Sequence, residues 1–203
     1  FPTVSPSHPG SAANLVRYVE TSVEFGEESR NQSGGRRPMS LELTLATEAD
    51  AEGIAAVRNA ASEQLTATFG HGPWTVACSA KSVFSNLGWS RIFVVRRGTA
   101  PIATLKLGTK KPWAIDATYF SPCLRPLYLT SMAVLPIEQR RGVGRLCIEQ
   151  AVRIARSWPA DALRLDAYDA AAGAGAFYLK CGFREVGRAS YRNTPMIYFE
   201  RMI

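Results

Sequence analysis

Seven consecutive residues, Gln139-Arg-Arg-Gly-Val-Gly-Arg145, place two glycines among three arginines. The apolar run Leu129-Thr-Ser-Met-Ala-Val134 comes shortly before them, and an amphipathic segment follows. A strand delivered to a glycine turn that opens a helix leaves the first helical amides without intrahelical partners. Those amides, at the positive end of the helix dipole, suit phosphate oxygens. Gly142 and Gly144 let a ligand approach the backbone where a side chain would intrude, and Arg140, Arg141 and Arg145 add positive charge. The pattern predicts a pyrophosphate-bearing ligand held mainly by main chain. A glycine pair at a helix start serves equally as a tight turn. The other phosphate motifs fail. No Gly-x-x-x-x-Gly-Lys-Ser/Thr occurs, and the third glycine of a dinucleotide fingerprint is replaced by Cys147.

The elements that must position this turn are legible around it. Val143, Leu146, Cys147, Ala151, Ile154, Ala155 and Trp158 recur at the spacing of one buried helix face. Pro159 stops that pattern. Residues 163–168 alternate like a strand, so strand, turn, helix and strand make a βαβ unit with parallel neighbours. A second helix is predicted over residues 172–181, closed by Gly182. Residues 186–191 and 196–199 read as a terminal hairpin around Arg192-Asn-Thr-Pro195.

From Leu129 to Gly187 the chain resembles the GNAT superfamily of N-acetyltransferases in three ordered places. The first is a strand ending in Met132-Ala133-Val134. The second is the Gln/Arg-x-x-Gly-x-Gly/Ala signature, here Gln139 to Gly144. The third is Phe177-Tyr178-Leu-Lys-Cys-Gly182-Phe183, which is similar to the family's (F/L)Y-x-x-x-G-F helix end. The resemblance implies a mixed α/β fold, with a central, mostly antiparallel sheet of six or seven strands flanked by helices. One splayed parallel pair joins the strand ending at Val134 to that over 163–168. It also implies acetyl-coenzyme A as co-substrate. The pantetheine arm would lie along the main chain of Met132, Ala133 and Val134 like an added strand. The pyrophosphate would sit on the turn from Gln139 through Arg140, Arg141, Gly142, Val143 and Gly144 to Arg145. An amine acceptor would attack the thioester directly. An amide near Ala133 would polarise its oxygen, an effect of about 3 kcal/mol elsewhere. Tyr178 would protonate the departing thiolate, an ordinary phenol matching a thiol leaving group reasonably well.

Two departures from the family pattern accompany these matches. An asparagine common seven residues before the helix tyrosine is Ala171 here, with Asp169 the nearest replacement. A glutamate that some relatives carry on the strand before the glycine turn is also missing, since Tyr128, Leu129 and Thr130 occupy that stretch. Deprotonation therefore falls to another group or a water chain, with Glu63, His71, Asp116 and Asp166 as candidates. The departures leave open a second reading, a catalytically silent domain that senses acyl-coenzyme A. Tyr178 favours the enzyme.

The rest of the chain sets boundaries. Residues 1–38 are rich in Pro, Ser, Gly and Asn, and are expected to be a disordered or non-native extension rather than a signal peptide. A single N-acetyltransferase domain is expected over 39–203. The extension carries four arginines and four glutamates, so the net charge of +7 belongs to the domain. That field suits a polyanionic cofactor. The basic residues are scattered without a nucleic-acid motif, so no nucleic-acid partner is expected. No apolar stretch reaches membrane length, so no membrane partner is expected either. Cys78, Cys123, Cys147 and Cys181 form no Cys-x-x-Cys pair and fit a reducing cytoplasm. His8 and His71 lack metal spacing, and no metal is expected. In the first half, helices are predicted over 49–61, with Thr47 as N-cap, then 63–69 and 77–87. A hairpin is predicted over 91–107. The aromatic segment 110–126 is expected to wall the acceptor pocket. The acceptor is a small-molecule or peptide amine of undefined identity, and a homodimer is carried as an expectation from the resemblance.

Overall fold

Alternating and continuous apolar runs pair into one seven-stranded sheet in the computed structural model, which describes residues 41–87 and 90–203. The extension expected over 1–38 lies outside the described residues. The strands are β1 (Leu43–Leu45), β2 (Arg91–Arg97), β3 (Ala100–Gly108), β4 (Pro126–Val134), β5 (Ala162–Tyr168), β6 (Arg184–Tyr191) and β7 (Thr194–Met202), ordered β1-β2-β3-β4-β5-β7-β6. Among the described residues only β4 and β5 run parallel. Their crossover is helix α3 (Val143–Ser157), as the βαβ pattern requires. Helices α1 (Ala51–Phe69), α2 (Ala80–Leu87) and α4 (Gly175–Lys180) complete the fold. The terminal hairpin turns through Arg192 and Asn193, both at positive φ, the geometry of a two-residue turn that follows the strand twist.

The two helices predicted over 49–61 and 63–69 are a single helix. Ser62-Glu63-Gln64 interrupts the apolar pattern without breaking the backbone. Ser62 Oγ donates outward to Trp74 O at 2.6 Å, so its hydroxyl does not compete for the helix's own bonds. Thr47 caps not α1 but the short 3-10 turn Glu48–Asp50 that leads into it, and the N-cap of α1 itself is Asp50. Thr47 forms a capping box with Asp50, whose carboxylate accepts from the Thr47 amide at 2.7 Å.

Each sheet face has its own core. One face buries Leu105, Leu127, Leu163, Leu165 and Phe199 under the apolar stripe of α3. On the other, Ile92 and Val94 pack against Ile54, Ala55 and Val83 of α1 and α2. Farther along that second face, Ile115 and Phe120 cover Tyr128 and Tyr198. Segment 110–126 is thus a lid over β4 and β7, with Trp113 left 82% exposed.

Candidate active site

The cleft exists because two paired strands part. Parallel β4 and β5 are in register only from Pro126↔Ala162 to Tyr128↔Arg164. Beyond Tyr128 the partner of β4 is β3 alone, and the register between them shifts between Thr104 and Lys106. Ser131 and Met132 there face the single residue Leu105, with Ser131 at φ 52°, so β4 carries a β-bulge. A bulge bends its strand, and here the bend coincides with the split. Serine is an ordinary strand residue, so no local signal announced it.

A cavity of about 500 Å³ lies at the end of β4 past the split, with no β5 residue in its lining. Of the residues expected around the cofactor, Met132, Ala133, Val134, Gln139, Arg140, Gly142, Gly144 and Arg145 line it, and so does Tyr178. The other two stand elsewhere. Val143 is 2% exposed in the core beneath α3, because the helix turns that position toward the sheet. Arg141 is exposed and outside the lining. Ala61, Gln64 and Leu65 of α1 close the opposite wall, and Phe177 of α4 joins them. The α1 residues were missed because treating 49–61 and 63–69 as separate helices hid their shared stripe. The signal was the i, i+3, i+4 relation of Ala61, Gln64 and Leu65.

At the turn, the two glycines do different work. Gly142 has φ 83°, and a Cβ there would meet nothing within 4 Å, so its face is open. A Cβ on Gly144 would come within 3.3 Å of the Phe177 ring, so that glycine lets α4 pack closely on α3. Gly142 O accepts from the Leu146 amide at 2.9 Å, the first helical bond. The amides of Val143, Gly144 and Arg145 precede that bond, and no side chain caps the helix from Gly142. Arg145 is anchored by donating to Lys180 O at 3.2 Å.

Main-chain direction in β4 follows from one bond. The Leu135 amide donates to Ile102 O at 2.9 Å, within the register that pairs Val134 with Ala103 and Ala133 with Thr104. Antiparallel alternation therefore turns Ala133 toward β3 and the N–H and C=O of Val134 toward the split. Gln139 Nε2 donates to Val134 O at 3.1 Å, which leaves the Val134 N–H as the group facing the cleft.

Tyr178 is buried, with 8% of its surface exposed. Burial pushes its phenol above the ordinary range, and the Asp166 carboxylate pushes it further. Tyr178 therefore stays protonated throughout the neutral range and is a weaker acid than an ordinary phenol. Asp166 sits on β5 two residues past the last β4–β5 pair, its own carboxyl pushed up by burial. Asp166 is not among the residues that line the cavity, and the other base candidates lie farther off. Glu63 and His71 line a separate hollow on the outer flank of α1. Asp116 is spent on Thr118, accepting from its amide at 3.0 Å and its hydroxyl at 2.8 Å. Asp169 is held by Arg188 at 2.9 Å and so is not free to stand in for the missing asparagine. No residue of segment 110–126 lines the cleft.

All four cysteines are free thiols, and burial pushes Cys147 up to about 12, which makes it inert. Among the described residues no acidic, histidine or cysteine cluster could hold a metal, and no helix is long and apolar enough to cross a membrane.

Residues 54–183, well over half of the chain, match the acetyltransferase (GNAT) family. No curated protein matches the chain. Among solved structures, PaiA N-acetyltransferase from Thermoplasma acidophilum, in complex with coenzyme A, is 15% identical. The alignment covers 81% of this chain and 100% of that one, with a TM-score of 0.61. The ribosomal-protein-S18-alanine N-acetyltransferase of Escherichia coli is 19% identical over 81% of this chain and 94% of its own, at 0.59. A ribosomal-protein-alanine N-acetyltransferase from Brucella melitensis is 17% identical over 80% and 100%, at 0.61. At such identities these structures share the fold, and the family match carries the assignment: the chain belongs to the GNAT family of acetyltransferases.

Proposed function

We propose that this chain transfers an acetyl group from acetyl-coenzyme A to a primary amine, by direct attack in a ternary complex, in the cytoplasm. One observation carries the reading: a single cleft gathers the strand end at Met132 to Val134, the open glycine turn and the Tyr178 hydroxyl. The residues present suit the co-substrate. Gly142 offers an uncovered backbone, uncapped amides follow it, and Arg140 and Arg145 flank it. Gln139, Arg140, Arg145 and the main chain from Gly142 to Arg145 would hold the pyrophosphate and the edge of β4 the pantetheine arm, while the thioester supplies an acetyl carbonyl open to an amine.

The chain's own groups then divide the work. The Val134 amide, rather than that of Ala133, faces the place where negative charge gathers on the carbonyl oxygen. Asp166 is the base candidate at the split, and its raised pKa suits accepting a proton from the amine. Tyr178 donates its hydrogen toward the departing sulfur as the carbon–sulfur bond breaks. Holding both reactants in one cleft supplies much of the remaining acceleration.

Thiol release across a panel of primary amines tests the reading. Tyr178→Phe is expected to lower turnover about 100-fold or more while coenzyme A affinity stays within about twofold. A collapse of affinity instead makes Tyr178 a packing residue. Gly142→Val is expected to abolish coenzyme A binding, because it loads a left-handed position with a branched side chain at the uncovered backbone. Tight coenzyme A binding with no thiol released from any amine identifies a sensor rather than an enzyme.

A further inference from the structure

Beside the cleft, on the sheet face turned toward α1, two cations stand together without a counter-ion. Lys106 of β3 pairs with Ile92 on one side and Thr130 on the other. It therefore projects from the face that Ile92 and Val94 present to α1. Arg58 lies on the sheet-facing stripe of α1, one turn after Ile54 and one turn before Ala61, which lines the cleft. Its Nε and Nη2 are buried with no hydrogen-bond partner among the described residues, and Nη1 reaches Cys78 Sγ at 3.9 Å. Neither cation forms an ion pair among the described residues. Thr104, next to Lys106 on the same face and opposite Ala133, is 0% exposed with its hydroxyl also unpartnered.

This arrangement is costly as it stands. Buried polar groups are almost always satisfied, and buried charges are paired or bound to something that pairs them. Burial pushes the Lys106 ammonium below its ordinary range, and the neighbouring Arg58 adds to it, so the two cations sense each other. The phosphates of coenzyme A do not account for them, since the glycine turn belongs to α3 on the other side of the sheet. What the pair lacks is an anion. A guanidinium with two free N–H groups offers fixed donors to a carboxylate or phosphate, and an ammonium beside it adds a point charge. Across the split on the same face, Asp166 offers the opposite charge to an incoming amine.

Resting on the acetyl-transfer reading above, we propose that the acceptor is an amine that also carries a carboxylate or phosphate. Arg58 and Lys106 grip that anionic group and so aim the amine into the split. Thr104 lies beneath as a further donor. The acceptor class is thereby narrowed from amines in general to small amphoteric ones.

Direct binding tests this without any need for turnover. Calorimetry on the intact protein compares matched pairs: glycine against glycinamide, and O-phosphoethanolamine against ethanolamine. The anionic member of at least one pair is expected to bind tenfold or more tightly, and the winning pair tells carboxylate from phosphate. Arg58→Gln and Lys106→Met are each expected to bring that ratio close to one, and Arg58→Lys to retain part of it. Equal binding within both pairs overturns the proposal, as does a preference that survives both charge-removing variants. Coenzyme A affinity is read on the same samples. Its absence overturns the acetyl-transfer reading and leaves the ratio of the paired amines to decide this one.

Discussion

Arg164 and Glu200, neighbours on β5 and β7, meet at 3.1 Å with side chains 5% and 0% exposed, whereas two strands away Arg58 and Lys106 share the same face with no carboxylate between them. The first cluster is saturated. Glu200 also accepts from Arg184 at 2.8 Å, and the Arg164 guanidinium donates to Ser121 O and lies 4.9 Å over the Phe120 ring. Burial pushes the Glu200 carboxyl up, yet the donors Arg184, Ser121 and Arg164 outweigh it and hold the group below its ordinary range. These contacts tie segment 110–126 to the sheet, so the balanced cluster is structural. The other cluster leaves its cations waiting next to the cleft. A fold that completes one set of charges and not its neighbour places the deficit where the proposed acceptor would bind.

Removing one partner from the balanced cluster is the strongest way to break the contrast. Glu200→Ala leaves Arg164 buried and uncompensated and is expected to cost about 3–5 kcal/mol in urea unfolding. A cost below about 1 kcal/mol erases the distinction between the clusters. Acid sharpens it. The folded pKa of Glu200 is depressed, so its contribution is present above the unfolded value near 4.5 and is lost as pH falls through the folded value. Wild-type stability is expected to drop over that acid range, and Glu200→Gln is expected to flatten the drop. The smallest effect belongs to Lys106→Met. Removing an unpaired, half-buried cation is expected to leave stability unchanged or raise it by about 1 kcal/mol. The depressed Lys106 pKa also makes wild-type stability rise from its folded value up to about 10.5, because the unfolded chain there binds more protons. The variant is expected to lack that alkaline rise, and its persistence would show that Lys106 is not strained.

The glycine turn, the α3 stripe and the stop of α4 before Gly182 were all legible because each depends on residues within one or two helical turns. Gly142 needs its left-handed backbone whatever surrounds it. The glycine turn followed from spacing, whereas the strand end at Met132 to Val134 entered the cleft reading through the family resemblance. The α1 wall did not, because a polar run at Ser62 to Gln64 looks the same whether a helix ends there or continues. Nor did the bulge at Ser131, which depends on how β4 meets β3. The aromatic composition of segment 110–126 points to a pocket wall, yet the structure uses Ile115 and Phe120 as a cover over Tyr128 and Tyr198.

Local chemistry in the chain determined where the backbone turns, which helix faces are apolar and where amides lie free for phosphate oxygens, since those features are set by neighbours a few residues apart. Only the tertiary structure decided where two strands separate and which buried charges are answered. Arg164 finds Glu200 thirty-six residues away, while Arg58 and Lys106, forty-eight apart, find each other and no anion among the described residues. Pairing at that range depends on how sheet and helices pack, and no short stretch of sequence contains it.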